Sequence, residues 1–351
     1  MHTAVQSRRA DHDGAAANAI RVAVAGATGY TGQELLRLLS RHPSVAIVAA
    51  TSSGSPTTAG STSPRRLPGL AHIFTGEITP LDPAALASEA ELVFLALPDK
   101  AAAELAPALL EAGVRVIDLS GAFRLRNDAQ RARWYPETHA LPEGLAYGLT
   151  ELERTSVSAA RMVANPGCYP TSALLALRPL LEAGLIAQGV DIVIDAKSGV
   201  SGAGKTPSER THFSEVHGSV AAYGVFGHRH GAEIEQGTGC PVNFVPHLMP
   251  LDRGILSTIY VRLAPGTTEE ALASVYERAF GGEPFIRLVG SALPEIKHVA
   301  HTNFCDLGWR VDQSGRAVLV SVIDNLLKGA SGQAVQNMNV MLGLDQTTGL
   351  L

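Results

Sequence analysis

Cysteine is scarce in this chain. There are three in 351 residues, too few for a disulfide framework and suited to a reducing compartment where a free thiol can do chemistry. No stretch of about 18 uncharged apolar residues occurs, so no membrane span is predicted. Lys and Arg form no dense run and the net charge is −5, so the basic footprint of a nucleic-acid partner is absent. Arg8-Arg9 is the one hint of a twin-arginine export signal. Asp11, His12 and Asp13 follow at once, and the next apolar run reads better as a strand. Residues 1 to about 19 are therefore read as a frayed, Ala-rich tail. Neither an internal repeat nor a long low-complexity tract is found.

What is present is an ordinary globular balance, 46% hydrophobic and 17% charged, which excludes wholesale disorder. Single cores stop growing near ~250–300 residues, so a chain of this length predicts two. In the first half, β-branched apolar runs at 21–25, 45–50, 92–97 and 114–118 alternate with helical spacing at 29–40 and 101–112. Strands alternating with helices predict a parallel sheet covered on both faces. A Ser/Thr/Gly/Pro-rich loop is expected over 51–67. After about residue 160 the pattern changes. A helix at 169–183 precedes strand-like runs at 191–197, 242–248, 255–263, 298–311 and 317–323, with one clear helix at 267–280 and a closing helix at 331–342. That predicts a mixed or antiparallel sheet with helices on one side.

Gly26-Ala27-Thr28-Gly29-Tyr30-Thr31-Gly32 follows the first strand and opens the first helix. Glycine allows the tight turn and a close approach of backbone to pyrophosphate, and the helix N-terminus offers free N–H groups and a positive dipole end. The spacing is GxxGxxG, and its strand–turn–helix context points to a dinucleotide site; a turn needed only for packing is the alternative. At the end of the second strand an NAD enzyme carries Asp or Glu for the ribose 2′-hydroxyl. Here stand Thr51, Ser52, Ser53, Gly54 and Ser55, with Arg65 and Arg66 later in the loop. With no carboxylate to repel a 2′-phosphate, NADP is the expected cofactor; a merely solvated loop is the alternative.

Cys168 sits in Asn165-Pro166-Gly167-Cys168-Tyr169-Pro170, directly before an apolar helical run. Pro170 suits a first helical turn, and a helix N-terminus favours a thiolate, the attacking species. Cys240 and Cys305 read as inert. His228-Arg229-His230 opens the densest polar cluster of the second half, 228–236. Histidine can take a proton from a thiol and return one to an oxyanion, and the planar Arg229 fork can clamp a phosphate or carboxylate. The Gly/Ser run 197–205 lacks the GxxxxGK[ST] spacing and reads as an anion-binding loop or a hinge. The run 324–333 has a Gly-rich helix entry that can return to the cofactor site. No metal site is predicted.

In order along the chain, GATGYTG, ANPGCYPT, SGVSGAGK, HRHGAEIEQ, PHLMPLDRGIL and DNLLKGASGQAVQNMN give residues 20–345 a close resemblance to the N-acetyl-γ-glutamyl-phosphate reductase family of arginine biosynthesis. The resemblance implies an α/β Rossmann-type doubly wound NADP-binding domain, residues 20–164 with 325–351. It implies a second α+β domain, 165–324, with a mixed sheet of the glyceraldehyde-3-phosphate dehydrogenase type. It also implies a cytoplasmic homodimer or homotetramer acting on a small acyl phosphate.

Carried over by motif, Cys168 is the nucleophile and His228 the acid–base group, with His230 beside it to orient Arg229 or cap the helix. Gly26, Thr28, Gly29, Tyr30, Thr31, Gly32, Ser52, Ser53, Pro98, Ser201, Gly202, Asn325, Lys328 and Gly329 are expected at the cofactor. Ser120, Arg124, Asn165, Ser198 and Arg229 are expected at the substrate. The family commonly reads Ala-Asp-Phe-Arg-Leu where this chain has Gly121-Ala122-Phe123-Arg124-Leu125. The implied chemistry is attack of the thiolate on the acyl phosphate, a thioester, and hydride reduction to an aldehyde. Two alternatives remain at this point. One is a reductase of carrier-protein-linked aminoadipyl or glutamyl phosphate in lysine biosynthesis. The other is a noncatalytic NADP-sensing protein.

Overall fold

A computed structural model describes residues 19–52 and 67–351. Most of the tail, together with Ser53, Gly54, Ser55, Arg65 and Arg66, lies outside them.

The first half is built from β1 (Ile20–Ala25), α1 (Tyr30–Leu39), β2 (Val45–Ser52), β3 (Thr79–Pro80), α2 (Pro83–Glu89), β4 (Leu92–Leu95), α3 (Asp99–Glu111), β5 (Arg115–Asp118), α4 (Asp128–Trp134), β6 (Leu145–Tyr147), α5 (Thr150–Ala159) and β7 (Met162–Ala164). Its seven strands run in the order β3-β2-β1-β4-β5-β7-β6, every pair parallel. Continuous apolar runs such as Val22–Ala25 and Leu92–Leu95 follow from burial on both faces. Val22, Val24 and Phe94 point into one core with Leu35 and Leu36 of α1. Their neighbours Ala23, Ala25, Val93 and Leu95 point into another with Leu105 and Leu109 of α3. Strand order reverses between β1 and β4, which opens a crevice at their carboxyl ends.

The second half comprises α6 (Cys168–Glu182), β8 (Val193–Gly199), α7 (Phe213–Val216), β9 (Ala221–Ala222), α8 (Arg229–Thr238), β10 (Asn243–Met249), β11 (Ile255–Arg262), α9 (Glu269–Phe280), β12 (Ile286–Gly290), β13 (Cys305–Val311) and β14 (Arg316–Ile323). Its sheet has the order β12-β13-β14-β11-β8-β10-β9 and is mixed. Period-2 alternation buries Ile194, Ala196, Ile255 and Ile259 against Leu174 and Leu177 of α6 and Leu272 and Tyr276 of α9. Truncating such a leucine typically costs about 2–5 kcal/mol.

The chain then makes a π-helical turn, Leu327–Ser331, and ends in α10 (Gly332–Met341). Ala334, Val335 and Met338 of α10 pack into the core of the first sheet. Arg253 ties the halves together, bonding Glu34 of α1 at 2.5 Å and Asp324 after β14 at 3.4 Å.

The sequence reading runs one strand from 298 to 311. The backbone instead turns through a short 3-10 helix at Ile296–His298, and β13 starts at Cys305. The small elements β3, β6, β7, β9 and β12 are too short for a periodicity to show. No helix among the described residues is long and apolar enough to cross a membrane.

Candidate active site

The crevice at the β1–β4 reversal opens into a cleft of about 830 Å³ that continues to the N-termini of α6 and α8. Its floor on the first-sheet side is the turn from Gly26 to Gly32. Gly26 has φ +93°, and a Cβ there would stand 2.1 Å from the Ala96 carbonyl oxygen. A Cβ on Gly32 would stand 2.2 Å from the Gly26 oxygen. Both glycines are therefore demanded by close packing of α1 against the turns after β1 and β4. Gly29 differs. It is the N-cap of α1, no side chain caps that helix, and the nearest atom to a Cβ there is 3.6 Å away. The first-turn N–H groups thus face an open space, and this cradle fits a dinucleotide pyrophosphate. Thr28, Tyr30 and Thr31 line the same space, and Ser52 reaches it with its Oγ 3.2 Å from Thr28 Oγ1. Pro98, Ser201, Gly202, Asn325 and Gly329 also line the cleft. Asn325 holds the Ser201 loop by donating to Ser201 Oγ at 2.9 Å.

Lys328, expected at the cofactor, is not there. It is fully buried, paired with Glu151 and bonded to Gln336 Oε1 at 2.9 Å. Successive residues of a helical turn face different sides, so Gly329 lies on the cleft while Lys328 points inward.

Cys168 is the first residue of α6, with Gly167 as N-cap. A Cβ on Gly329 would stand 2.8 Å from Cys168 Cβ, so the nucleotide-side turn and the thiol adjoin. The helix end alone predicts a lowered thiol pKa. Burial wins instead and pushes the Cys168 thiol up to about 11. Arg124 and the backbone N–H groups of Tyr169 and Cys168 pull it down without cancelling that cost, and Glu233 adds to it.

The two histidines divide differently from the motif expectation. His228 is the N-cap of α8, its Nδ1 accepting the His230 backbone N–H at 3.0 Å. Its ring lines a separate small pocket of about 120 Å³ with Trp134, Phe226 and Phe244. His230, expected to orient Arg229 or cap the helix, lines the main cleft and packs on the glycine before the cysteine. A Cβ on Gly167 would stand 2.6 Å from His230 Nε2. Burial, then His228, Arg124 and Arg229, hold His230 well below the usual imidazole range. Burial and Arg229 bring His228 down to about 4. Both rings are neutral near pH 7 and able to accept a proton.

Arg124 lies under the cysteine turn. It donates to the Asn165 carbonyl at 2.8 Å and the Leu119 carbonyl at 2.9 Å, and it faces Glu233 at 3.5 Å. Arg229 projects from the start of α8 and pairs with Asp99 at 2.7 Å. Ser120 reaches the cleft, but its hydroxyl donates to the buried Asp118 at 2.8 Å. Burial raises the Asp118 carboxyl to about 6, against the opposing pull of the Ser120 donors.

Asn165 and Ser198 are turned away from the cleft. Asn165 spans to Ala330 and Asn337, and Ser198 donates to the Gly199 carbonyl. Ala122, where the family pattern has Asp, is buried among apolar side chains. The carboxylate beside that turn comes from Asp99, which accepts the Gly121 N–H at 2.6 Å. The sequence reading missed Glu233 and Asp99. Glu233 stands three residues after His230 and so shares its helix face, a signal available in the motif. Asp99 had no such signal.

Residues 21–160 match the description "Semialdehyde dehydrogenase, NAD binding domain", and residues 168–325 match "Semialdehyde dehydrogenase, dimerisation domain". A relative in Geobacter sulfurreducens named N-acetyl-gamma-glutamyl-phosphate reductase is 47% identical over 94% of this chain and 98% of its own length. The chain belongs to this reductase family. Relatives of the same name in Symbiobacterium thermophilum and Shouchella clausii are 47% and 44% identical, covering 95% and 94% of this chain and 97% and 98% of their own lengths.

The family is one of oxidoreductases acting on an acyl phosphate, and these relatives do not favour the sensor or carrier-linked alternatives. The fold is also that of solved aspartate semialdehyde dehydrogenases. The Vibrio cholerae enzyme superposes with a TM-score of 0.71 at 20% identity, covering 93% of this chain and 98% of that one. The Candida albicans enzyme, solved with NADP, gives 0.65 at 17%, covering 92% and 98%.

Proposed function

We propose that this protein reduces N-acetyl-L-glutamyl 5-phosphate to N-acetyl-L-glutamate 5-semialdehyde and phosphate, with NADPH as reductant. The observation that carries the reading is the convergence, in one cleft, of the glycine cradle, the Cys168 thiol, the His230 imidazole and the Arg229 guanidinium.

The Gly26–Gly32 turn, Pro98, Ser201, Gly202, Asn325 and Gly329 hold the cofactor. Ser52 ends β2 where a carboxylate would select NAD, which supports NADP. Cys168 gives its proton to neutral His230 and attacks the γ-carbonyl carbon. The carbon–oxygen bond to phosphate breaks, phosphate leaves, and a thioester stays on Cys168. When bound, NADPH supplies the hydride that reduces the thioester carbonyl. The N–H groups at the start of α6 stabilise the oxyanion, and His230 returns the proton as the thiohemiacetal collapses. His228 caps α8 and holds His230 in place. Arg229 exchanges Asp99 for an anionic group of the substrate, and Arg124 adds charge beneath it. Ser120 accepts hydrogen bonds at the same wall. Asn165 and Ser198 act through the loops they brace.

Residues 20–164 with 325–351 form the cofactor unit, and residues 165–324 form the catalytic and oligomerisation unit of a cytoplasmic homodimer or homotetramer. The match to a dimerisation domain supports this. The test is oxidation of N-acetylglutamate 5-semialdehyde. The reading requires a rate that depends on both inorganic phosphate and NADP, with NAD far poorer. A rate independent of phosphate contradicts it.

A further inference from the structure

Three side chains of fixed positive charge among the described residues line the cleft: Arg124, Arg229 and Lys205. Two are spoken for. Arg124 faces Glu233 and Arg229 pairs with Asp99. Lys205 has no carboxylate partner among the described residues. Lys205 instead crosses from the loop after β8 to the first half of the molecule, where its Nζ donates to the Thr28 carbonyl at 3.3 Å.

That position is specific within the cleft. Thr28 lies on the β2 side of the glycine turn, its Oγ1 3.2 Å from Ser52 Oγ. In doubly wound folds the end of the second strand is where the adenosine ribose is read. The pyrophosphate already has the uncapped N–H groups of α1. An ammonium carries three donors, and the Thr28 carbonyl uses one. Ser52 brings no negative charge, so the ribose end has a cation beside it and no fixed anion among its described neighbours.

We infer that Lys205 pairs with the 2′-phosphate of the dinucleotide and sets the preference for NADPH over NADH. The contact rests on the NADP reading above. It spans the two halves of the chain, from the loop after β8 to the glycine turn after β1. The specificity cation then stands some 150 residues beyond the strand whose end it serves, and a search of the loop after β2 alone does not find it.

The test is direct binding, by enhancement of reduced-nicotinamide fluorescence, of NADPH and NADH to wild type, Lys205→Ala, Lys205→Glu and Lys205→Arg at low salt. A hydrogen bond to a charged group predicts that Lys205→Ala raises the NADPH Kd about tenfold while the NADH Kd stays within about twofold. Lys205→Glu should raise the NADPH Kd further, and Lys205→Arg should restore it. Added salt should erode the preference in wild type more than in Lys205→Ala. Equal losses for both nucleotides place Lys205 on the pyrophosphate and overturn the inference. So do unchanged affinities in Lys205→Ala with the preference lost in an Arg65→Ala, Arg66→Ala double variant. No acyl phosphate enters this assay, so a failure of the proposed reaction is read separately, by the phosphate-dependent dehydrogenase rate.

Discussion

Glu233 Oε1 accepts the Gly167 N–H at 2.9 Å, tying the residue before Cys168 to the helix that carries His230. The same oxygen accepts the Tyr147 hydroxyl at 2.7 Å, and its partner oxygen faces Arg124. One buried carboxylate thereby fixes the spacing of thiol and imidazole, and it spends part of the charge with which Arg124 would stabilise a thiolate. Burial raises the Cys168 thiol and lowers the His230 imidazole, so the expected resting pair is thiol and neutral imidazole, not an ion pair.

This relationship predicts the pH dependence of alkylation. With the thiol raised to about 11, the iodoacetamide rate at Cys168 should climb through neutral pH without levelling off. The slope should be about tenfold per pH unit, as for any thiol below its pKa. Glu233→Gln keeps an acceptor for Gly167 and removes the charge, so the curve should move to lower pH. Peptide mapping of the labelled cysteine across pH 6–10 (a range about the reference thiol value) checks both. A wild-type plateau below about pH 8, or a shift to higher pH in the variant, contradicts the electrostatic account.

The histidines separate by cap chemistry. His230→Asn removes the proton acceptor and should lower kcat by about 10²–10⁴-fold, the usual worth of general acid–base assistance. His228→Ala removes the α8 cap and should cost about 1 kcal/mol of stability with a smaller loss of kcat. His228→Asn, a good N-cap, should recover most of both. If His228→Asn is as inactive as His230→Asn while fully folded, the two roles must be exchanged.

Lys328 separates a cofactor role from a structural one. Lys328→Met leaves Glu151 charged and buried without its partner, which typically costs about 3–5 kcal/mol. Glu151 is held below the usual carboxylate range: burial pushes it up, but Lys328 and Gln336 outweigh that. The pair therefore stabilises the fold above the unfolded carboxyl pKa, and its contribution fades as pH falls through the lower folded value. A much reduced Tm at pH 7 with unchanged NADPH affinity is expected. Normal Tm with lost NADPH affinity would return Lys328 to the cofactor.

Much of this was legible in the sequence, for physical reasons. The apolar run Val22–Ala25 followed by glycines at 26, 29 and 32 can hardly be anything but a buried strand turning into a helix. Gly167 and Pro170 around Cys168 mark a helix start from either side. What stayed hidden depended on partners distant in sequence. Whether Cys168 has a low or high thiol pKa turns on its burial and on the opposed charges of Arg124 and Glu233, not on its local turn. Which histidine lines the cleft with Cys168 is decided by the cap geometry of His228, and the two are the same residue type two positions apart. Lys328 and Gly329 are neighbours in sequence, and a π-helical turn separates their destinies. Asp99 and Arg229 meet only after both halves have folded.

The central claim is a covalent thioester on Cys168, and it is tested most directly with NADPH left out. The enzyme is mixed with N-acetylglutamyl phosphate, released phosphate is followed by rapid quench, and the digested protein is weighed by mass spectrometry. The account predicts a burst of phosphate equal to the enzyme present and an N-acetylglutamyl adduct on the peptide containing Cys168. Adding NADPH should discharge that adduct as the semialdehyde, and Cys168→Ser should show neither burst nor adduct. Phosphate release only when NADPH is present, or an adduct at a different residue, contradicts the account.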